Sequence, residues 1–216
     1  MEEVNDVADM KNCNNCLFFE ARKFKDLYMW AARAPTGPSI KFLVQNIHTM
    51  SEVKLTGNCL KGSRPVMHFD RSFADAPHSV LMRELLSQCF ASPKGHPKTK
   101  PFVDHIFSFF FINGRIWFRN YQIAYDANHG TEKEGEPVLV EIGPRFVLTP
   151  VKIFAGSFRG AVLWENPDYV SPNIKRALLK RRSQDTMVVR ERAKRARAAH
   201  IEENPLKEDE LEDMFA

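Results

Sequence analysis

The chain has 216 residues, 44% of them hydrophobic and 17 of them phenylalanine, which is enough for a substantial core. The formal net charge of +4 is small, so the total excludes no class of partner and only its distribution is informative. No apolar run is long enough to span a bilayer, and the first residues lack a signal-peptide pattern. These features predict a soluble intracellular protein whose four cysteines are reduced thiols.

The first part of the chain predicts a strand, a helix and a second strand. The apolar segment CLFFEAR (16–22) is typical of a strand. SIKFLVQNI (39–47) is apolar on both faces, as expected of an inner strand. Between them the apolar residues recur at helical spacing and favour a helix that ends before Pro35: Phe24, Leu27, Tyr28, Ala31 and Ala32.

A second strand, helix and strand follow. VMHFD (66–70) precedes a helix with Asp75 and Pro77 near its start. The apolar stripe of this helix consists of Val80, Leu81, Leu85, Cys89 and Phe90. The helix ends at an extended loop, SPKGHPKTKP (92–101), which carries three lysines without nearby acids: Lys94, Lys98 and Lys100.

A long hairpin comes next, because Asn113 and Gly114 tolerate the positive φ of a type I′ turn between two apolar runs. A two-residue loop sets the register. It pairs Ile112 with Arg115, Phe110 with Trp117, Ser108 with Arg119 and Ile106 with Tyr121. One face then collects the core residues Phe107, Phe109, Phe111, Ile116 and Phe118.

The other face of the hairpin mixes charge with aromatic rings. Arg115, Trp117, Arg119 and Tyr121 occupy alternate positions, which suits stacking on bases and neutralising phosphate. Two arginines extending from a solvated sheet face are the alternative explanation.

The hairpin is followed by a polar segment, DANHGTEKEGEP (126–137), which predicts a flexible surface insertion. Residues 138–154 resume as strands that we expect to be broken at Gly143-Pro144 and at Pro150. Strand, helix and strand thus recur, which predicts two related α/β lobes.

The C-terminal part predicts a helix that begins at Ser171-Pro172 and continues to about Ala199. Its apolar stripe is thin, so we expect it to order only against a partner. Ten cations stand against two acids in this stretch: Lys175, Arg176, Lys180, Arg181, Arg182, Arg190, Arg192, Lys194, Arg195 and Arg197. From Glu202 to Asp213 seven acids face one lysine, and this arrangement is typical of nucleic-acid or assembly proteins as well as of solvated surfaces.

Motifs of catalysis and metal binding are not found. GNCLKGS (57–63) differs from a phosphate-binding loop because its lysine precedes the second glycine, so it predicts a turn. The sequence contains no G-x-G-x-x-G, H-E-x-x-H or G-x-S-x-G pattern. Cys13 and Cys16 have the spacing of a zinc pair, but no second close pair follows, so neither a metal site nor a cofactor is predicted.

Five segments together resemble the Brix domain family, in the family order: NNCLFFEARK, GNCLKGSRP, KPFVDHIFSFFFINGRIWFRNYQI, VEIGPRFVLTPVKIFAGSFRG and ENPDYVSPN. The resemblance implies two α/β halves related by a pseudo-two-fold, similar to the anticodon-binding domain of some aminoacyl-tRNA synthetases. It implies a Brix domain over residues 12–172, followed by a basic helical extension (173–200) and an acidic disordered tail (201–216).

The resemblance also implies a function. Members of the family are non-enzymatic nucleolar factors that bind pre-ribosomal RNA, and the branch resembled here serves the large subunit together with helical partner factors. The implied RNA-facing residues are Arg115, Arg119 and Tyr121 of the hairpin and Arg145 of the GPR segment. A salt bridge at a strand edge is the alternative for Arg145.

One departure from the family pattern matters. Brix domains open with a strand, a Ser-Arg-Gly turn and a basic helix, and none of these precedes NNCLFFEAR; MEEVNDVADMK is short and acidic. We therefore expect the first half to lack a strand and a helix, and apolar surface on strand 39–47 to be uncovered.

Two functions of different classes remain open. The first is an RNA-binding scaffold for large-subunit assembly. In it the basic C-terminal helix and the loop at 92–101, which we call the lysine loop, contact phosphates, and the hairpin adds stacking on bases. The second is a protein-interaction module, since Trp117, Arg119 and Tyr121 are also residue types that anchor protein interfaces.

Overall fold

The computed structural model describes residues 2–93, 95, 98–125 and 137–205. Two predictions fall outside these residues: most of the polar insertion (126–136), and the acidic end beyond residue 205. The chain divides into two compact units, Met1–Tyr169 and Val170–Ala216. No helix in the described part of the chain is both long enough and apolar enough to cross a membrane.

The first unit contains three helices and nine strands within the described residues. The helices are α1 (Glu2–Met10), α2 (Met50–Val53) and α3 (Pro77–Phe90), with a 3₁₀ turn at Arg71–Ala74. The strands are β1 (Asn15–Arg22), β2 (Asp26–Arg33), β3 (Ser39–His48), β4 (Arg64–Phe69), β5 (Val103–Ile112), β6 (Arg115–Tyr125), β7 (Pro137–Glu141), β8 (Arg145–Phe154) and β9 (Val162–Glu165).

All nine strands belong to one sheet, with the order β1-β2-β3-β8-β6-β5-β4. β7 pairs with the end of β6, and β9 pairs with the end of β8. Neighbouring strands are antiparallel except β4 and β5, which are parallel and joined through α3. The predicted mixed α/β class is confirmed, although the two predicted lobes share one continuous sheet.

The main core lies between α3 and the face of the sheet that we call the inner face. It contains Met82 and Leu86 of α3, which pack with Phe42, Phe109 and Ile116 of the sheet. Phe118 is also buried here, whereas Phe107 and Phe111 are partly buried against the cluster. The hairpin face predicted to be core is therefore confirmed, and the side chains of Arg115, Trp117, Arg119 and Tyr121 lie on the opposite, outer face.

The helix predicted between residues 24 and 32 is wrong, because this segment is the strand β2. Lys23 and Phe24 have φ values of 52° and 53°, which lets β1 turn back tightly into β2. β2 lies between β1 and β3, and its residues 28–32 are buried on both faces. A strand buried on both faces is a continuous apolar run, and periodicity alone does not separate such a run from a helix.

Pro150 does not break β8, contrary to prediction. It pairs opposite Phe42 at a shift of register between β3 and β8, so the irregularity is absorbed without ending the strand. The predicted break at Gly143-Pro144 is confirmed, since it separates β7 from β8.

The inner face is not covered along its whole length. An apolar cavity of about 550 Å³ lies at the end of β3 away from α3. Its lining includes Phe19, Met29, Val44, Ile47 and Phe146. Ile40 and Phe42 of β3 are fully buried, whereas Ile47 is 46% exposed. The expected uncovered apolar surface is thus found at one end of this strand only.

The second unit contains α4 (Pro172–Glu203). The helix begins as predicted, because the Ser171 side chain caps it by accepting a hydrogen bond from the Ile174 backbone N–H. None of the helical residues is buried. An isolated helix with so little buried surface is marginal in water.

Candidate nucleic-acid interface

The β5-β6 hairpin has the predicted register. Ile112 pairs with Arg115, Phe110 with Trp117, Ser108 with Arg119 and Ile106 with Tyr121. Asn113 and Gly114 have φ values of 51° and 69°, as a two-residue turn of the primed type requires. The turn chemistry therefore places the aromatic and cationic side chains on one face of the sheet.

The two hairpin arginines differ in how firmly they are held. Arg115 is exposed beside the turn. The Arg119 guanidinium lies 5.6 Å from the centre of the Trp117 ring and donates a hydrogen bond of 2.8 Å to the Phe118 carbonyl. Its Nε lies 3.7 Å from Glu141 Oε1, and its side chain is 21% exposed. Arg119 is positioned over the aromatic surface, and Arg115 is available at its edge.

Arg145 makes the ion pair foreseen as the alternative to RNA contact. Its Nε and Nη2 donate to the two carboxylate oxygens of Glu141 at 2.9 and 2.8 Å. Because Glu141 also faces Arg119, one carboxylate partly compensates two guanidinium groups. The Arg145 side chain keeps 32% of its surface exposed, so the pair leaves part of the group accessible.

The lysine loop is described only in part. Lys98 and Lys100 are exposed, whereas Lys94 lies outside the described residues. The Lys100 backbone N–H donates to the Gly62 carbonyl at 2.8 Å, which ties this loop to the predicted turn at 57–63.

All ten cations of the predicted basic extension lie on α4 and are exposed. Because successive helical residues are rotated by about 100°, these positions are spread around the helix and no wide sector lacks a cation. A partner with dispersed negative charge can therefore contact α4 from several directions.

A partly buried charged cluster on β1, β2 and β3 was not predicted from the sequence. Lys41 Nζ lies 4.6 Å from the ring centres of both Tyr28 and Trp30 and 3.2 Å from Glu20 Oε2. Burial lowers the pKa of Lys41, and the Glu20 carboxylate only partly offsets this effect. A helix over residues 24–32 does not place Tyr28 and Trp30 beside Glu20 and Lys41; the strand β2 does. The cluster joins the three strands β1, β2 and β3, and the Lys41 and Glu20 side chains keep only 13% and 23% of their surface exposed.

One grouping of serine, histidine and aspartate needs to be distinguished from a catalytic triad. Ser63 Oγ lies 2.5 Å from Asp104 Oδ1 and 3.1 Å from His105 Nδ1, which is itself 2.6 Å from that carboxylate oxygen. A triad needs the acid and the nucleophile on different ring nitrogens. Here both contact Nδ1, and Ser63 and His105 are buried, so the group anchors the 57–63 turn to β5.

Among the residues that the structure describes, no three His, Cys, Asp or Glu side chains are grouped so as to hold a metal ion. All four cysteines are free thiols. Burial raises the pKa of Cys89 to about 12, so this thiol is a poor nucleophile at neutral pH.

Taken together, the fold and this surface define a mixed α/β scaffold with an aromatic, cationic sheet face and a separate basic helix. The chain belongs to the Brix domain family, whose model matches residues 1–152.

Similar proteins agree with this assignment. The human "Ribosome biogenesis protein BRX1 homolog" is 56% identical over 177 residues, which cover 82% of this chain and 48% of the relative. The Xenopus laevis protein of the same name is 56% identical over 177 residues, with 82% and 50% covered. The Arabidopsis thaliana "Ribosome biogenesis protein BRX1 homolog 2" is 50% identical over 216 residues, with 98% and 68% covered. The chain thus spans about half the length of the animal relatives it matches.

Proposed function

We propose that this chain is a non-enzymatic ribosome biogenesis factor that binds pre-ribosomal RNA and helps to assemble the large (60S) subunit in the nucleolus. Relatives that are at least 50% identical are named ribosome biogenesis proteins, which supports the process. The observation that carries the RNA part is α4, with its ten exposed cations.

In this proposal α4 and the lysine loop supply affinity. Arginine and lysine side chains displace the counterions condensed on RNA phosphates, and this gain is independent of sequence. The hairpin face, with Arg115, Trp117, Arg119 and Tyr121, adds stacking and orients the RNA on the rigid sheet.

The test measures binding to an RNA of the large-subunit precursor over a range of salt concentrations. Log affinity is expected to fall by about 0.7 to 0.9 per log unit of salt for each phosphate neutralised. Replacing the ten α4 cations by glutamine should flatten this slope.

The matched control neutralises exposed cations elsewhere, at Lys23, Lys25, Arg33 and Lys54, and should leave most of the slope intact. An unchanged slope in the α4 variant removes the helix from the mechanism. If only the control variant loses the dependence of affinity on salt, the RNA-binding surface lies elsewhere than on α4.

A protein-interaction module is the second candidate. It is favoured by Ile112, an apolar side chain that is 49% exposed beside the arginines of the hairpin. It is also favoured by Glu141, which partly neutralises the positive charges of Arg119 and Arg145. The partners in this case are other assembly factors or ribosomal proteins. Crosslinking in assembling particles separates the two: RNA adducts at Trp117 or Tyr121 support RNA contact, and peptide adducts alone support protein docking.

A further inference from the structure

Three adjacent strands place an aromatic ring on the outer face of the sheet. These are His68 on β4, Phe110 on β5 and Trp117 on β6. The rings of His68 and Phe110 are 5.6 Å apart between centroids, at an angle of 56°. Phe110 and Trp117 lie directly opposite each other in the antiparallel register. The three rings therefore occupy neighbouring positions on three adjacent strands, and we call them the aromatic row.

The row is not part of the main core. The inner face of the same strands is filled by Phe109, Ile116 and Phe118, which pack beneath α3. On the outer face His68 is exposed, and Phe110 and Trp117 are each partly exposed. Aromatic surface that remains accessible on neighbouring strands is available to a ligand with flat, apolar faces.

Cations border the row on the β6 side. Arg115 is exposed and directly follows the turn residue Gly114. The Arg119 guanidinium lies 5.6 Å from the centre of the Trp117 ring. The Glu141 carboxylate lies 3.7 Å from Arg119 Nε but is paired more closely with Arg145, at 2.8 Å, so it compensates Arg119 only in part. The charge of the border is thus complementary to a phosphate backbone that runs beside the rings.

We propose that His68, Phe110 and Trp117 form a stacking platform for unpaired bases of single-stranded RNA, with Arg115 and Arg119 on the adjoining phosphates. This inference rests on the proposed RNA-binding function and specifies the class of RNA that the sheet face takes. Neighbouring strands are about 4.8 Å apart, so rings on successive strands can each meet successive bases of an extended strand. Duplex RNA does not fit this platform, because its bases are already stacked and paired.

The test compares a short oligouridylate, which has no base pairs, with an RNA duplex of the same length, using the full chain. His68→Ala removes an exposed ring and Phe110→Leu replaces a ring by an aliphatic side chain of similar bulk, so both leave the inner core intact. Each is expected to weaken oligouridylate binding by about five-fold or more, since a stacked base contributes measurably to affinity. Binding to the duplex, held by phosphate contacts of α4, should change by less than about two-fold.

Phe24→Ala is the matched control, because Phe24 is a fully exposed ring on the β1-β2 turn, away from the row. It should bind both RNAs as the wild type does. Circular dichroism and thermal unfolding of each variant establish that the fold is retained.

Several results would overturn the platform. Unchanged oligouridylate affinity in both row variants, together with a loss in the α4 variant, refutes it while the proposed function stands. Equal losses on oligouridylate and duplex refute it as well, because stacking on unpaired bases predicts a difference. If the wild type binds neither RNA, the proposed function fails along with the platform. In the crosslinking experiment on assembling particles, peptide adducts at these rings without RNA adducts would assign the row to a protein partner and would also refute the inference.

Discussion

Arg145 and Glu141 are joined by two hydrogen bonds across the Gly143-Pro144 break, Nε to Oε1 at 2.9 Å and Nη2 to Oε2 at 2.8 Å. The same carboxylate lies 3.7 Å from Arg119 Nε. The pair thus connects the end of β7 to the start of β8 and at the same time reduces the positive charge of the sheet face.

Replacing Glu141 by glutamine tests what this pair does. Removing the carboxylate releases the charge of two arginines, so RNA affinity is expected to rise by about three-fold and the salt slope to steepen by about 0.7 to 0.9. Arg145→Gln should lower both quantities. Filter binding or fluorescence anisotropy at several salt concentrations measures them. If Arg145→Gln lowers only the free energy of unfolding, by about 1 kcal/mol, Arg145 is a structural residue and does not contact RNA.

The lowered pKa of Glu20 predicts how the free energy of unfolding depends on pH. Partial burial alone would raise its pKa, but hydrogen bonds from Arg22, Trp30 and Lys41 hold the pKa below its ordinary value of 4.5. The folded state therefore favours the carboxylate, and this contribution is complete above the unfolded pKa and disappears as the pH falls through the lowered folded pKa.

Glu20→Gln is accordingly expected to lower the free energy of unfolding by about 1 kcal/mol at pH 7, since three donors lose a charged acceptor. At pH 3 the difference from the wild type should shrink. Urea unfolding at both pH values measures it, and Glu84→Gln, on the exposed side of α3, serves as the control. A difference that is equal at the two pH values would show that the carboxylate charge has no role.

The hairpin turn makes a prediction about backbone conformation alone. Gly114 has φ of 69°, and a Cβ built there meets nothing within 4 Å. Gly114→Ala should therefore cost about 1 kcal/mol through the unfavourable φ, without any steric clash. Asn113→Gly keeps a residue that tolerates positive φ and should be nearly neutral. Thermal unfolding compares the two variants, and equal destabilisation by both would contradict the assigned turn.

The four thiols should react with a maleimide in a definite order at neutral pH. Cys13 is exposed and should be labelled first. Burial raises the pKa of Cys89 to about 12, and the thiolate is the reacting form, so Cys89 should be labelled last. Mass spectrometry of the native protein over time measures the order. Labelling of Cys89 at the rate of Cys13 would mean that α3 opens readily from the sheet.

The basic helix and the hairpin show how much local sequence determines. The two turn residues set the register from Ile106 to Tyr121, and alternate residues of each strand point to opposite faces of the sheet. The face of each side chain therefore follows from its distance to the turn. A serine followed by proline sets the start of α4, because its hydroxyl satisfies a free backbone N–H. These features depend on residues close together in the chain, so they could be predicted.

Features that depend on distant parts of the chain could not be predicted in this way. β2 is a strand because β1 and β3 bury both of its faces, which its own apolar spacing does not reveal. The pairing of Arg119 with Glu141 and the contact of His68 with Phe110 arise where separate strands become neighbours. The sequence by itself determined the turns, the caps and the alternation of faces, whereas only the tertiary structure decided which side chains meet across the sheet, because strand order brings together residues that are remote in the chain.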